Sequence, residues 1–395
     1  MPEPTALIGA WARSAVAPHG GAFRALNAHE IAAPVVHALL ARAGINASAV
    51  DALVLGNALG AGGNPARMLA LASGLSERCA AFSVDTQCCS GIDAVSMAVG
   101  LLASGQASVI IAGGVEAWSR SPIRQVRPLR EGEPALAYDR PAFAPDRERD
   151  PDLLVSAARY AQQHGFSRAQ QDAYAVLSHQ RASAHAPALA LEIVPVNDLG
   201  LDAYPRATSL VRAARMPVVA QYEAAYGDAR PPPDAGMDCS LSTLAISTRA
   251  DGAALVLLAT AQASFALGIA AQAAWVTSAS VGCDSATPLV AAEMAACAAL
   301  ARAGMSSIKS MRVIELHDAF AVQGLSFCQA LGVKPERINR RGGGLARGHP
   351  IGASGAVALV RLLSDLQRDE KMGARGLVAI AGAGGIGAAA ILERL

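Results

Sequence analysis

Short apolar runs, each followed by a stretch of helical periodicity, recur through the first 117 residues, and this alternation narrows the fold more than any other feature. Ala6–Ala10, Ala52–Gly56, Ala80–Val84 and Ser108–Gly113 read as strands, apolar in all but the third. Between them, His29–Ala43 places Ile31, Val35, Leu39 and Leu40 on one helical face and stops at Gly44. Pro65–Ser73 opens on a proline suited to a first helical turn, and another helix runs through Ala94–Ser104. Strands apolar on both faces need helices on both faces, which predicts an α/β protein with a parallel sheet. The plan returns near the C-terminus, with strands at Ala253–Ala259, Trp275–Gly282, Arg312–Leu316, Gly376–Ala381 and Ala388–Arg394. Helices at Leu289–Ala303, His317–Gly332 and Gly352–Arg368 separate them. No short-period repeat accompanies this, so the duplication is one of architecture.

Residues from Trp118 to Leu244 break the rhythm. Two helices, Asp152–His164 and Arg168–Ala184, sit among loops rich in arginine, including Arg120, Arg124, Arg140, Arg149 and Arg206, with a Pro231-Pro232-Pro233 run. This reads as an insertion covering a site.

Several classes of function are excluded. The 395 residues carry 33 Lys+Arg against 32 Asp+Glu, without the concentrated basic excess a nucleic-acid binder needs. At roughly 150 residues per domain, the chain holds two or three domains. Its seven cysteines are odd in number and form no CxxC pair, which argues against a zinc site and suits reduced thiols in a cytoplasm. The first ten residues lack the basic start and apolar core of an export signal. The stretch Ala253–Cys283 has no charge and is long enough to cross a bilayer, but Gln262, Ser264, Gln272, Thr277 and Ser278 interrupt it. It reads as a buried strand, helix and strand, and no membrane span is expected.

The sharpest chemical feature is Thr86-Gln87-Cys88-Cys89-Ser90-Gly91, between a strand end and a helix start. Backbone N–H groups and the helix dipole stabilise a thiolate at such a junction. Cys88 and Cys89 equally suit small buried residues in a turn; Gly91 favours function by allowing close backbone approach. Two histidines stand apart from the other six. His317 follows the strand Val313-Ile314-Glu315-Leu316, and His349 lies in the glycine-dense run Gly342-Gly343-Gly344-Leu345-Ala346-Arg347-Gly348-His349-Pro350-Ile351-Gly352, where glycines let backbone crowd a ligand. A cysteine with distant histidines at strand ends is a nucleophile-and-base set suited to acyl transfer.

Taken in order, Cys88-Cys89-Ser90-Gly91, Gly113-Gly114-Val115-Glu116, His317-Asp318-Ala319-Phe320 and Gly348-His349-Pro350-Ile351-Gly352 resemble the signature blocks of the thiolase family, and the resemblance covers essentially the whole chain. It implies a duplicated fold of two βαβαβαββ halves in five αβαβα layers, divided as 1–117, 118–245 and 246–395, the middle segment being a loop domain that holds coenzyme A. It implies an acyl-CoA acyltransferase that forms or cleaves a 3-ketoacyl thioester through an acyl-cysteine. Cys88 then resembles the nucleophile, His349 its activating base, His317 an oxyanion partner, and Ser247 the serine lining the pantetheine channel. Acyl-CoA is the expected substrate, no cofactor is permanently bound, and a homodimer or homotetramer is expected.

Two positions depart from the family pattern. The oxyanion block begins with His317 instead of asparagine, similar to sterol-carrier-protein-type thiolases; a histidine still offers an N–H. The cysteine that the family places near the C-terminus, which removes the α-proton of the second acyl-CoA, is Ala381, and the position that serves instead in the related subgroup is Ala319. His317 is the candidate surrogate base. Cys88, His317 and His349 also resemble the set of decarboxylative condensing enzymes, which need no such cysteine. A non-catalytic subunit of a larger complex is a third reading.

Overall fold

The computed structural model describes residues 6–60, 62–222 and 236–395; the triple proline at 231–233 lies outside them. The first unit runs β1 (Leu7–Ser14), α1 (Ala28–Ala43), β2 (Ala52–Gly56), α2 (Pro65–Ala72), β3 (Ala80–Val84), α3 (Ser90–Ala103) and β4 (Val109–Ala117). The insertion follows with α4 (Leu153–His164) and α5 (Arg168–Ala184), after which β5 (Ala250–Ala259) returns. Helix α6 (Ala261–Leu267) leads to a second unit of β6 (Ala273–Gly282), α7 (Ala291–Arg302), β7 (Val313–His317), α8 (Ala321–Leu331), α9 (Ser354–Asp369), β8 (Arg375–Gly382) and β9 (Ile386–Arg394). The charge-free stretch is thus β5, α6 and β6, and among the described residues no helix is long and apolar enough to cross a membrane.

The strands lie in the order β3-β2-β4-β5-β1 in the first unit and β7-β8-β9-β6 in the second, joined where Leu7 and Ile8 pair with Ala274 and Ala273. Counted within each unit, the second order repeats the first without its third strand. Where β3 would recur, residues 338–353 form a loop with short helical turns.

One expectation is corrected here. Among these labelled strands, β3-β2-β4 and β7-β8 are the parallel sets; β5 runs antiparallel to β4 and β1, and β9 to β8 and β6. The tight turn between β8 and β9 leaves no room for the crossover a parallel pair requires. Along its whole length, Ala250 to Ala259, β5 is paired to first-unit strands: β4 on one side, β1 and the short strand at 17–18 on the other.

Alternating side chains on the strands sort into separate cores. Ala52 and Val54 of β2 face the central core, while Leu53 and Leu55 face α1 and α2. In β8, Val378 and Ile380 face the centre, and Leu377 and Ala379 face α7. The result is five layers, with α3 and α9 in the middle. These two helices touch through glycine: a Cβ at Gly91 would lie 2.7 Å from the Ala356 nitrogen, and one at Gly355 would lie 2.9 Å from Ile92 Cγ1. Gly91 therefore admits a helix, not a ligand.

A buried ion network ties the insertion to both units. Arg13 of β1 pairs with Glu192 at 2.7 Å and Asp202 at 2.6 Å, and Glu192 also meets Arg361 of α9, which pairs with Asp365 at 2.5 Å. Breaking one partner of such a network leaves an uncompensated buried charge, which is costly.

Candidate active site

Cys88 leaves β3 through a sharp turn in which Gln87 holds φ at 52°, a left-handed value that a non-glycine residue adopts only under strain. Ser90 pins the turn: its hydroxyl donates to the Gln87 carbonyl at 2.6 Å and accepts from the Thr86 N–H at 2.9 Å. Thr86 in turn donates to Asp93 at 2.6 Å. Cys88 is thereby fixed two residues ahead of the first residue of α3.

His349 arrives from the other unit. Its Nε2 lies 3.1 Å from Cys88 Sγ, and its Nδ1 lies 2.6 Å from the hydroxyl of Ser354, the first residue of α9. With the Nδ1 proton donated to Ser354, Nε2 is left to accept the thiol proton. Burial pushes the Cys88 thiol up to about 12, offset in part by the N–H groups of Ala383 and of Cys88 itself. Burial also pushes His349 down to about 4. The resting pair is a neutral thiol beside a neutral imidazole, not the helix-stabilised thiolate that the strand–helix junction suggested; desolvation outweighs the dipole.

His317 ends β7 and stacks on His349, with ring centroids 4.5 Å apart and planes at 29°. Its Nε2 is buried and has no hydrogen-bond partner. Burial, then the neighbouring His349 and Arg347, hold its pKa well below the ordinary value, because two stacked imidazoles and a guanidinium cannot all be charged in one apolar space.

Two carboxyls hold the loop that brings His349 in. Glu116, on β4, accepts from the N–H groups of Ala58 (3.0 Å), Leu59 (3.2 Å) and Gly352 (2.9 Å) and from the Asn57 amide (2.9 Å); burial raises its pKa to about 7 against those bonds. Asp318 accepts from Tyr174 (2.8 Å), the Asn339 amide (3.1 Å) and the Leu345 N–H (3.3 Å), and burial raises it to about 6. A Cβ at Gly352 would stand 2.8 Å from both Asn57 Cα and Glu116 Oε2. Glycine at 352 thus admits this carboxyl and its backbone neighbours, where the sequence pattern suggested a crowded ligand.

Ser247 belongs to a strip that runs between the two histidine segments. Its N–H donates to the Ala319 carbonyl at 2.8 Å, its hydroxyl donates to the Gly344 carbonyl at 2.7 Å, and the His349 N–H donates to Thr248 at 2.7 Å. The structure brings Cys88, His317 and His349 together, with Ser247 behind the Gly344 peptide that backs His317. Ser354 and the Ala383 N–H were not singled out from sequence; a serine five residues after the histidine, at a helix start, was the readable signal for the first. Among the described residues no group of three His, Cys, Asp or Glu side chains could hold a metal ion.

Residues 6–262 match the family model for the thiolase N-terminal domain, and residues 269–394 match that for the thiolase C-terminal domain. The chain belongs to the thiolase family. It is 34% identical to an acetyl-CoA acetyltransferase of Allochromatium vinosum, over 97% of each chain. It is 31% identical to a putative acetyl-CoA C-acetyltransferase of Staphylococcus aureus, over 98% of this chain and 99% of the relative. The crystal structure of the Bacillus anthracis acetyl-CoA acetyltransferase superposes with a TM-score of 0.87 at 25% identity, covering 99% of each chain. The protein is thus a thiolase-superfamily acyltransferase, similar to acetyl-CoA acetyltransferases.

This thiolase differs from the family pattern at its β8–β9 hairpin. Ala381 pairs with Gly387, and Ala383 turns its N–H toward Cys88. Neither alanine can carry a proton. Cys89 offers no substitute, since its sulfur lies 3.8 Å from both the Ile380 and the Ile386 carbonyls, turned into the hairpin backbone.

Proposed function

We propose that this thiolase transfers acyl groups from coenzyme A thioesters through an acyl-Cys88 intermediate, forming or cleaving the carbon–carbon bond of a 3-ketoacyl-CoA. The supporting observation is the 3.1 Å contact of Cys88 Sγ with His349 Nε2 in a buried site, backed by Ser354. Sγ attacks the thioester carbonyl carbon as its proton passes to Nε2. The tetrahedral oxyanion collapses, the carbon–sulfur bond to coenzyme A breaks, and the departing thiolate recovers the proton from His349. His317, with Nε2 unpaired, is the donor to a thioester oxygen. Coenzyme A is substrate here rather than a resident group, with Ser247 beside its pantetheine arm. Exposed insertion arginines are candidates for its phosphates, although Arg140 and Arg149 already pair with Asp150 and Asp284.

A second reading is favoured by one observation, the alanines at 381 and 319. A positioned acid or base contributes about 10²–10⁴-fold, so its loss slows α-proton removal by roughly 3–5 kcal/mol unless His317 substitutes. Simple acyl transfer, or condensation driven by decarboxylation, avoids that step. A homodimer or homotetramer fits β3, which ends the sheet and leaves Phe82 46% exposed on an edge that a second copy would cover. The seven free cysteines suit a reducing cytoplasm.

Intact-mass measurement after incubation with acetyl-CoA and longer acyl-CoAs tests the covalent step. Wild type should gain one acyl mass and Cys88→Ala none; an unmodified wild type with every thioester would contradict it.

A further inference from the structure

A buried arginine–glutamate pair lies behind the two histidines, outside the reacting atoms. Arg347 stands two residues before His349, and Glu315 stands two residues before His317 on β7. Both side chains are almost wholly buried, with Arg347 Nη2 3.7 Å from Glu315 Oε2. The other terminal nitrogen of Arg347 donates to the Gly342 carbonyl, at the start of the turn whose Gly344 backs His317: a Cβ there would lie 2.7 Å from His317 Cε1. One guanidinium therefore bonds to the loop that carries His349 and lies against the strand that carries His317. Among the described residues, neither Glu315 oxygen nor Arg347 Nη2 has a hydrogen-bond partner, so the 3.7 Å contact between them is the tie from this strand to that loop. The charged groups facing the pair are Arg361 and Asp365 of α9, Glu192 and Asp202 of the insertion, and Arg13 of β1.

We propose that Arg347 and Glu315 are positioning residues of this acyltransferase, a buried brace that sets the approach of His349 to Cys88 and its stacking on His317. Neither residue touches the thiol. The brace adds to few backbone ties: the second unit lacks the strand that steers the equivalent turn in the first, and residues 338–353 form no strand, His349 making only an isolated bridge to Arg249. A displacement of about 1 Å at a reacting pair costs on the order of 10²-fold.

The proposal rests on Cys88 being the nucleophile, so its test reads the Cys88–His349 pair by two routes. Iodoacetamide alkylation of Cys88 at neutral pH, followed by peptide mass, needs no acyl-CoA; acyl transfer gives kcat and KM separately. Arg347→Met should lower both the alkylation rate and kcat by about 10²-fold with KM for acyl-CoA unchanged, because a buried side chain makes no contact with coenzyme A. Arg347→Lys should restore most of the rate, and Glu315→Gln should lower it by about tenfold, with both variants melting as cooperatively as wild type. If Arg347→Met does not fold, Glu315→Gln decides. Wild-type alkylation and kcat in a folded Glu315→Gln or Arg347→Met variant, or a loss confined to KM, would overturn the brace. Wild type that alkylates at Cys88 yet accepts no acyl group counts against the proposed function and leaves the brace standing.

Discussion

Helices α3 and α9 hold the same place in the two units, each the third helix of its unit and each in the middle layer, yet their N-termini are built in opposite ways. α3 is entered from a strand through a strained turn that ends on Cys88. α9 is entered from a loop with no strand before it, and that loop carries His349. A strand that feeds a tight turn fixes one atom with few bonds. A loop can reach across to a second unit, but it must be held from outside, and Glu116, Asp318 and Arg347 do the holding. The second unit gives up a strand where the first keeps one, and the freed backbone supplies the partner for Cys88.

The largest expected effect comes from cutting the contact between the two helix starts. His349→Asn should slow acylation of Cys88 by about 10²–10⁴-fold in a quenched-flow mass assay, with acyl-CoA binding retained. The same variant sharpens the pH dependence. His349 is held near 4 in the folded protein against 6.5 in the open chain, so the unfolded chain binds the extra proton between those values. Stability from this group is complete above about 6.5 and falls as pH drops toward 4, by up to about 3 kcal/mol. His317 acts in the same sense, and Glu116, raised to about 7, acts in the opposite one, adding stability below its unfolded value that is lost as pH rises through 7. Denaturant titrations of His349→Asn between pH 6.5 and 4 should show a shallower loss than wild type.

Packing between the helices gives the next effect. Gly91→Ala and Gly355→Ala each place a methyl under 3 Å from the facing helix, and each should cost about 1–3 kcal/mol in chemical denaturation. A large cost at one and none at the other would break the equivalence of the two helices. Ser247→Ala should be smallest: it removes one hydrogen bond to Gly344, worth about 1 kcal/mol, and should raise KM for acyl-CoA a few-fold with kcat nearly unchanged.

Strand β2 is legible in the sequence to the residue because it is short, wholly apolar and bounded by turn residues. β1 extends past Ala10 to Ser14 because Arg13 finds Glu192 and Asp202, partners far away in the chain that no local pattern announces. The helix expected from His317 begins only at Ala321, since Asp318 is drawn into bonds with Tyr174, Asn339 and Leu345. Cys88 and His349 are readable as a nucleophile and a base from their junctions and from the family resemblance. Their neutral resting state is not, because desolvation depends on layers that only the folded chain assembles. The role of the glycines at 91 and 352 was hidden for the same reason: each faces backbone from a distant segment.

The contrast between a complete acylation pair and an alanine at the proton-carrier position is tested most directly by measuring two reactions on wild type and Ala381→Cys. One is exchange of labelled coenzyme A into acetyl-CoA, which needs only Cys88 and His349; the other is coenzyme A-dependent cleavage of a 3-ketoacyl-CoA, which also needs a proton delivered to carbon. Ala381→Cys should leave exchange unchanged and raise cleavage by about 10²-fold or more. Brisk cleavage by wild type, with no gain from the cysteine, would contradict it.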